Sequence, residues 1–271
     1  MTRGMCMDLL TEMFNRHGTV SERVKSVEQP DGGFLNPALM TVTVQGEGDW
    51  VLNRDESTNP DLTETAVYYL WMFMLGRPAE KAFGTCLYAA IMDDQDDIAR
   101  EMISGIKKLD RDSVINAVNV CGFDVSYKAD VPYTEVDMMM PDDATIDNII
   151  VMVKRALAFS EEQGLASIGP VGFDGGYSAT VRNGSGDFMT VDTIWNFRTS
   201  WTMPDERDTL RVLMYWRLFM HSSCSESEKK RIRFIGIFNP RRNEVYRIPV
   251  ANIPDDLIVT LDRDVIEYRV V

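Results

Sequence analysis

Three side chains in one short stretch of the sequence could together bind a divalent metal ion or a phosphate. Asp187 follows Gly186 at the start of "DFMTVDTIWNFR", and Asn196 and Arg198 close the same stretch. A carboxylate and an amide carbonyl are oxygen ligands of the kind that Mg²⁺ or Mn²⁺ prefers. Arg198 keeps a permanent charge, so its planar guanidinium suits a phosphate but cannot activate a water molecule. These residue types could contact a metal ion or a phosphate, although Asn196 would add no charge to such a site, and the stretch could equally be an ordinary hairpin.

The elements around this stretch are predicted to follow the order helix, three strands, helix, strand, strand. Asp142 or Asp143 can cap a helix that has one apolar face and ends at Gly164. "GYSATVRN", "DFMTVDT" and "IWNFRTS" then predict three short strands with hairpin punctuation. A helix that Asp205 or Asp208 can cap follows, and "RIRFIGIFNP" and "EVYRIPV" predict the last two strands.

The first part of the chain predicts an α-helical domain. "DLTETAVYYLWMFMLG" begins with Asp61 as a cap, places Glu64 at capping-box spacing and ends at Gly76. Further segments with helical spacing of apolar residues follow it, and the chain turns extended and proline-punctuated near Asp130. The sequence therefore predicts an α+β protein with a helical domain over residues 1–129 and a mixed domain over residues 130–271.

Composition limits the classes of protein to which the chain can belong. No apolar run approaches the roughly 20 residues that span a bilayer, and the first residues do not resemble a secretory signal. We therefore expect a cytoplasmic protein without a membrane partner. The net charge of −14 argues against a protein that coats duplex nucleic acid by neutralising phosphates. Two basic clusters stand against this background, and their candidate phosphate contacts are Lys229, Lys230, Arg241 and Arg242.

The predicted order of elements resembles the core of the PD-(D/E)XK phosphodiesterase superfamily. This resemblance implies a restriction-endonuclease-like α/β core over residues 130–271, with Asp187 at the head of the second strand as a metal ligand. The third-strand motif of that family carries an acid and a lysine, where "WNFR" here has Asn196 and Arg198. The resemblance therefore implies a site built from Asp187, Asn196 and Arg198, with Mg²⁺ or Mn²⁺ held by Asp187 and Asn196.

Two further parts of the chain extend the resemblance. "RVLMY" has the spacing of the QxxxY motif found in the exonuclease-like branch, with Arg211 in place of glutamine and Tyr215 retained. An acid from the first core helix completes some of these sites, and Glu161 or Glu162 is the candidate here. The chain also resembles uncharacterised bacterial proteins in which aspartate, lysine and glutamine stand at positions 196, 198 and 211.

Three hypotheses about function follow from these observations. The first is a bacterial or phage-associated nuclease-like protein that has weakened or lost metal-dependent hydrolysis and binds DNA or RNA. Arg198, Arg211, Tyr215 and the basic clusters would then contact the nucleic acid. The second is an acidic module that binds a protein partner, such as a phage inhibitor or DNA mimic. The third is an active divalent-metal nuclease that uses Asp187, Glu161 or Glu162, and Asn196 as a neutral ligand.

Overall fold

The computed structural model describes residues 18–46, 51–130, 133, 140–165 and 169–268, and it has a mixed α+β architecture. Its α-helices are α1 (Val20–Ser26), α2 (Pro60–Met74), α3 (Ala79–Ala82), α4 (Gly84–Met92), α5 (Asp96–Gly105), α6 (Arg111–Ala129), α7 (Asp143–Gln163), α8 (Glu206–His221), α9 (Glu226–Lys229) and α10 (Asp255–Thr260). Its strands are β1 (Thr41–Val44), β2 (Val171–Gly172), β3 (Ser185–Gly186), β4 (Phe188–Met189), β5 (Thr193–Phe197), β6 (Phe234–Asn239) and β7 (Glu244–Pro249). The predicted α+β class is confirmed.

The main sheet has five strands in the order β1, β7, β6, β5, β4. Strands β5 and β6 are parallel, and every other neighbouring pair in this sheet is antiparallel. Because parallel neighbours cannot be joined by a tight turn, helix α8 carries the chain from β5 to β6. Strands β2 and β3 form a separate antiparallel pair immediately before β4.

The capping residues predicted for the two core helices are confirmed. Asp142 accepts a hydrogen bond from the Thr145 N–H group at the start of α7, and Gly164 follows the last turn. Asp205 caps α8 in a reciprocal capping box with Asp208. The strands expected around the final turn are present as β6 and β7. The capping residues were therefore sufficient to predict where α7 and α8 begin.

The first predicted strand is replaced by a turn. Within "GYSATVRN", the Ser178 hydroxyl accepts hydrogen bonds from the N–H groups of Thr180 and Val181. This side-chain contact competes with sheet pairing, so the residues form a turn and the strand β2 lies earlier in the chain. Residues 78–92, one of the segments with helical spacing of apolar residues, form two helices, because α3 ends before Phe83 and α4 begins after it.

A strand also lies in the part predicted to be helical. Strand β1 has the sequence "TVTV" and pairs with β7 at the edge of the main sheet. Its alternation is a strand signal that is too short to stand out in a helical background. The N-terminal part of the chain thus contributes one edge of the sheet built mainly by the C-terminal part.

Two hydrophobic clusters cover the two faces of the sheet. The first packs α2, α4, α6 and α7 against Trp195 and Phe197, and the second packs α8 against Ile194. Neighbouring residues of β5 enter opposite clusters because successive side chains of a strand point to opposite faces. The first cluster contains residues from both sides of the boundary placed at 129/130, and that boundary stays a prediction. Among the described helices, none is long and apolar enough to cross a membrane.

Candidate functional site

Asp187 lies between β3 and β4, and both oxygens of its carboxylate accept hydrogen bonds. The main-chain N–H group of Phe197 donates to Oδ2 at 2.7 Å, and the Tyr215 hydroxyl donates to Oδ1 at 3.2 Å. The preceding Gly186 packs closely against Phe173, since a Cβ atom there would lie 3.0 Å from the Phe173 ring. Asp187 is therefore fixed by the strand beside it and by helix α8.

Asn196 lies in β5 near the end of β4 at which Asp187 stands. The β4–β5 register pairs Phe188, which follows Asp187, with Trp195, which precedes Asn196. Asn196 is only 2% exposed, and its side chain makes no hydrogen bond to any residue that the structure describes. The two residues predicted to share a metal ion are thus neighbours, but only one of them is charged.

A carboxylate from helix α2 reaches the same region, and the sequence did not reveal its role. Glu64 Oε2 accepts a hydrogen bond from the Thr199 N–H group at 2.6 Å. Glu64 was predicted to take part in a cap, whereas the α2 cap is Asn59, which accepts from the Asp61 N–H group. One turn after Glu64, the Tyr68 hydroxyl donates to the main-chain oxygen of Asp187 at 2.5 Å. The sequence did contain a sign of this site, because Glu64 and Tyr68 are polar residues four apart on an otherwise apolar helix and therefore share one face.

Burial controls the protonation of both carboxyl groups. Burial raises the pKa of Glu64, and the neighbouring charge of Asp187 raises it further, against the lowering effect of the Thr199 N–H group. Burial also raises the pKa of Asp187, against the hydrogen bond from Phe197 and the positive charge of Arg211. The two carboxyl groups therefore lie close enough to influence each other, and guanidinium groups compensate part of their charge.

Arg211 and Tyr215 lie four residues apart on α8 and face the same region, as their spacing predicted. The Arg211 Nη1 atom donates to the Ser21 hydroxyl at 2.7 Å. Although burial lowers the pKa of Arg211, the nearby Tyr215 and Asp187 raise it above its ordinary value. Burial, followed by the charge of Asp187, raises the pKa of the Tyr215 phenol, so this group stays protonated and donates to Asp187.

Arg198 points towards the beginning of α8. Its guanidinium forms an ion pair with Asp208 and donates to the Thr202 hydroxyl at 3.3 Å. Burial lowers the pKa of Arg198, and the nearby acids Asp205 and Glu64 oppose that effect. The position at which the resemblance implies a catalytic lysine therefore holds a cation that already has a carboxylate partner.

Glu161 and Glu162 lie at the exposed end of α7. Within the described part of the chain, neither residue has a hydrogen bond or ion pair with Asp187. Glu64 on α2, rather than an acid on α7, is the additional carboxylate that the fold brings close to Asp187. This corrects the placement expected for Glu161.

The two arginines of the second basic cluster lie in internal ion pairs. Arg241 is 4% exposed and its guanidinium binds both carboxylate oxygens of Glu56. Arg242 binds both oxygens of Glu244, at 2.6 and 3.0 Å. The contact with Glu56 corrects the phosphate-binding role predicted for Arg241, because that side chain is buried with its partner. The Arg242 side chain is 29% exposed, and phosphate binding by Arg242 stays a prediction.

The two lysines of the first basic cluster lie at the end of α9, and the Lys229 side chain is only 12% exposed. Lys229 pairs with Glu226 at 3.4 Å, while Lys230 is exposed. Nucleic-acid binding through Lys229 and Lys230 stays a prediction.

The donor set around Asp187 does not fit a hydrolytic metal centre. Both Asp187 oxygens accept hydrogen bonds, Asn196 is neutral and Glu64 binds the main chain at Thr199. Across the residues described, no group of three or more His, Cys, Asp or Glu side chains is arranged to hold a metal ion. A metal ion beside Asp187 would share its oxygens with two protein donors and would gain few further charged ligands. The arrangement suits a charge-compensated cluster that joins α2, the sheet and α8.

The raised pKa of Glu64 predicts a pH dependence of stability. A carboxyl group with a raised pKa in the folded state stabilises the fold below its ordinary value of 4.5, and this contribution is lost as pH rises through the folded-state value. We expect Glu64→Gln to reduce the fall in the free energy of unfolding as pH increases from about 4 to about 8. Urea denaturation at a series of pH values measures this, and Glu161→Gln controls for the loss of one exposed negative charge. An unchanged slope in Glu64→Gln would contradict this assignment.

The chain was also compared with known proteins. No family model, no curated protein and no solved structure matches it. The function proposed below is therefore argued from the structure and sequence of the chain itself.

Proposed function

We propose that the chain is a nuclease-like protein in which a buried cluster of hydrogen bonds and ion pairs has replaced the hydrolytic centre. One observation carries this proposal: both oxygens of the Asp187 carboxylate accept hydrogen bonds from within the protein. In this proposal Asp187 holds β4, β5 and α8 together. Metal-dependent phosphodiester hydrolysis is lost, since a hydrolytic metal needs accessible oxygen ligands and an activated water.

The order of elements supports the nuclease-like part of the proposal. Helix α7 is followed by four short strands, β2 to β5, after which α8 leads to β6. Strands β2 and β3 pair apart from the main sheet, so the support for the resemblance to the PD-(D/E)XK superfamily comes from β4, β5, α8 and β6. The positions of Asp187 at the head of its strand and of Tyr215 on the following helix agree with that resemblance, so we propose a restriction-endonuclease-like core.

The replacements at positions 196 and 198 support the loss of hydrolysis. The amide of Asn196 contributes no negative charge to a metal site. The guanidinium of Arg198 cannot exchange a proton near neutral pH, and its ion pair with Asp208 directs it to α8. Of the two positions that would bind a metal and activate water, one holds the neutral Asn196 and the other holds Arg198, whose charge is paired with Asp208.

A cleavage assay tests this proposal. Single-stranded DNA, double-stranded DNA and RNA are incubated with the protein and with Mg²⁺ or Mn²⁺, beside a metal-dependent nuclease as positive control. We expect no cleavage above the rate without protein. Cleavage that is abolished both by a chelator and by Asp187→Ala would establish the active-nuclease alternative instead, with Asp187 as a metal ligand. Cleavage that survives Asp187→Ala would overturn the assignment of this site.

A second candidate function is an acidic module that binds a protein. It is favoured by the internal pairing of Arg241 with Glu56 and of Arg242 with Glu244. Because both arginines are paired, the turn between β6 and β7 does not offset the net charge of −14 with a basic surface. A protein partner with a basic surface suits such a charge better than a polyanion does. Gel-shift assays at low salt distinguish the two, since binding that weakens steeply with salt would favour nucleic acid.

A further inference from the structure

Within the described part of the chain, β1 is an edge strand of the main sheet. All four residues of β1 are exposed, and the valine side chains are large apolar groups in contact with solvent, with Val42 51% and Val44 66% exposed. In the sheet order, β1 has β7 on one side and no strand of the described chain on the other. Natural sheets usually protect such edges with lysine, proline or a bulge, and "TVTV" has none of these.

The register identifies the main-chain groups that point outward from β1. The Gln45 N–H group donates to the Asn243 carbonyl oxygen at 2.9 Å, one step beyond the pairing of Val44 with Glu244. Hydrogen-bonded and non-hydrogen-bonded pairs alternate along an antiparallel ladder. Thr41 and Thr43 therefore bond to β7, whereas the N–H and C=O groups of Val42 and Val44 face the open edge.

An apolar groove continues from the beginning of this strand. Leu39, which is 66% exposed and two residues before β1, lines a groove of about 440 Å³ together with Phe34, Pro254 and Leu257. Asp256 is the ionisable residue among the described side chains that line it. The open edge thus adjoins apolar pockets and a carboxylate.

We propose that the open edge of β1 and this groove bind an extended segment of a partner protein that alternates apolar residues with lysine or arginine. The segment would add a strand through the outward groups of Val42 and Val44 and place an apolar side chain against Leu39. Its basic residues match Asp256 and the net charge of −14. A second copy of this chain is a poorer occupant, because it would bring a second charge of −14 to the interface. This proposal does not depend on the loss of hydrolysis.

Binding of a synthetic strand tests the proposal. The probe is a short fluorescein-labelled peptide in which lysine alternates with valine, and fluorescence anisotropy measures its affinity. We expect saturable binding that weakens at least about tenfold when glutamate replaces lysine, and similarly when alternate main-chain amides of the peptide are N-methylated. Failure of the lysine peptide to bind at about 1 mM, the weakest affinity worth pursuing, would overturn the proposal.

Variants of the protein locate the binding site. Val44→Pro removes an outward N–H group without removing a bond to β7, so we expect at least about tenfold weaker peptide binding with a preserved circular dichroism spectrum. Val191→Ala, at an exposed apolar residue in the turn between β4 and β5, is the matched control and should bind as the wild type does. Peptide affinity unchanged by Val44→Pro would overturn the site.

Amide exchange of the wild-type protein keeps the test independent of how that variant folds. The N–H groups of Val42 and Val44 should exchange fast in the free protein and at least about tenfold more slowly with saturating peptide. Those of Thr41 and Thr43 should be slow in both states. Bound peptide without new protection at Val42 and Val44, or a dimer that Val44→Pro dissociates in sedimentation velocity, would overturn the proposed occupant.

Discussion

Replacing Arg241 by alanine should lower the free energy of unfolding by about 3–5 kcal/mol, because it breaks a buried ion pair and leaves Glu56 as an uncompensated charge. The two side chains are only 1% and 9% exposed, and the guanidinium binds both carboxylate oxygens of Glu56. Arg241 Nε also donates to the main-chain oxygen of Thr199 at 2.7 Å. The substitution therefore loses contacts with the segment that follows β5 and with the segment that leads into α2.

Urea denaturation at neutral pH measures this loss. Lys230→Ala is a matched control from the other basic cluster, and its exposed side chain should change stability by less than about 0.5 kcal/mol. Glu56→Gln combined with Arg241→Ala should cost less than the sum of the single changes, because the partner is already lost. A loss below about 1 kcal/mol for Arg241→Ala, accompanied by weaker DNA binding, would return Arg241 to the phosphate-contacting role that the sequence suggested.

The elements that the sequence predicted correctly are those whose signals are local. Asp142 and Gly164 mark the two ends of α7, and Asp205 with Asp208 marks the start of α8. Capping residues act through main-chain groups within three residues, so the sequence alone contains the whole interaction. The spacing of Arg211 and Tyr215 is local in the same sense, since four residues on a helix define one face.

The parts that could not be predicted depend on partners far along the chain. Glu64 binds Thr199, which lies 135 residues later, and Arg241 binds Glu56 across 185 residues. From the sequence alone, a glutamate such as Glu64 or an arginine such as Arg241 gives no indication of whether its side chain will be buried and paired or exposed to solvent. Strand β1 was missed for a related reason, because four residues form a stable strand here only through pairing with β7.

Asp187→Ala should also destabilise the protein, by about 2–4 kcal/mol, because it leaves the Phe197 N–H group and the Tyr215 hydroxyl without their acceptor. The positive charge of Arg211 would lose a nearby carboxylate at the same time. Asp187→Asn keeps one carbonyl oxygen as an acceptor and should therefore lose less than Asp187→Ala. This difference follows from the role of Asp187 in joining β5 to α8.

If the Asp187 carboxylate were kept for catalysis, Asp187→Ala would not lower the stability of the fold. Functional sites hold charged groups at a cost to stability, so removing a catalytic acid leaves stability unchanged or increases it. Glu161→Ala is a suitable control, because it removes an exposed carboxylate from the end of α7 without breaking a described contact to Asp187.

The most direct test of the central claim is the free energy of unfolding of Asp187→Ala relative to the wild type, measured by urea denaturation at neutral pH. If Asp187 serves the fold, the variant loses about 2–4 kcal/mol while Glu161→Ala stays within about 0.5 kcal/mol of the wild type. An Asp187→Ala variant as stable as the wild type, in which a metal-dependent cleavage activity of the wild type has disappeared, would contradict the claim.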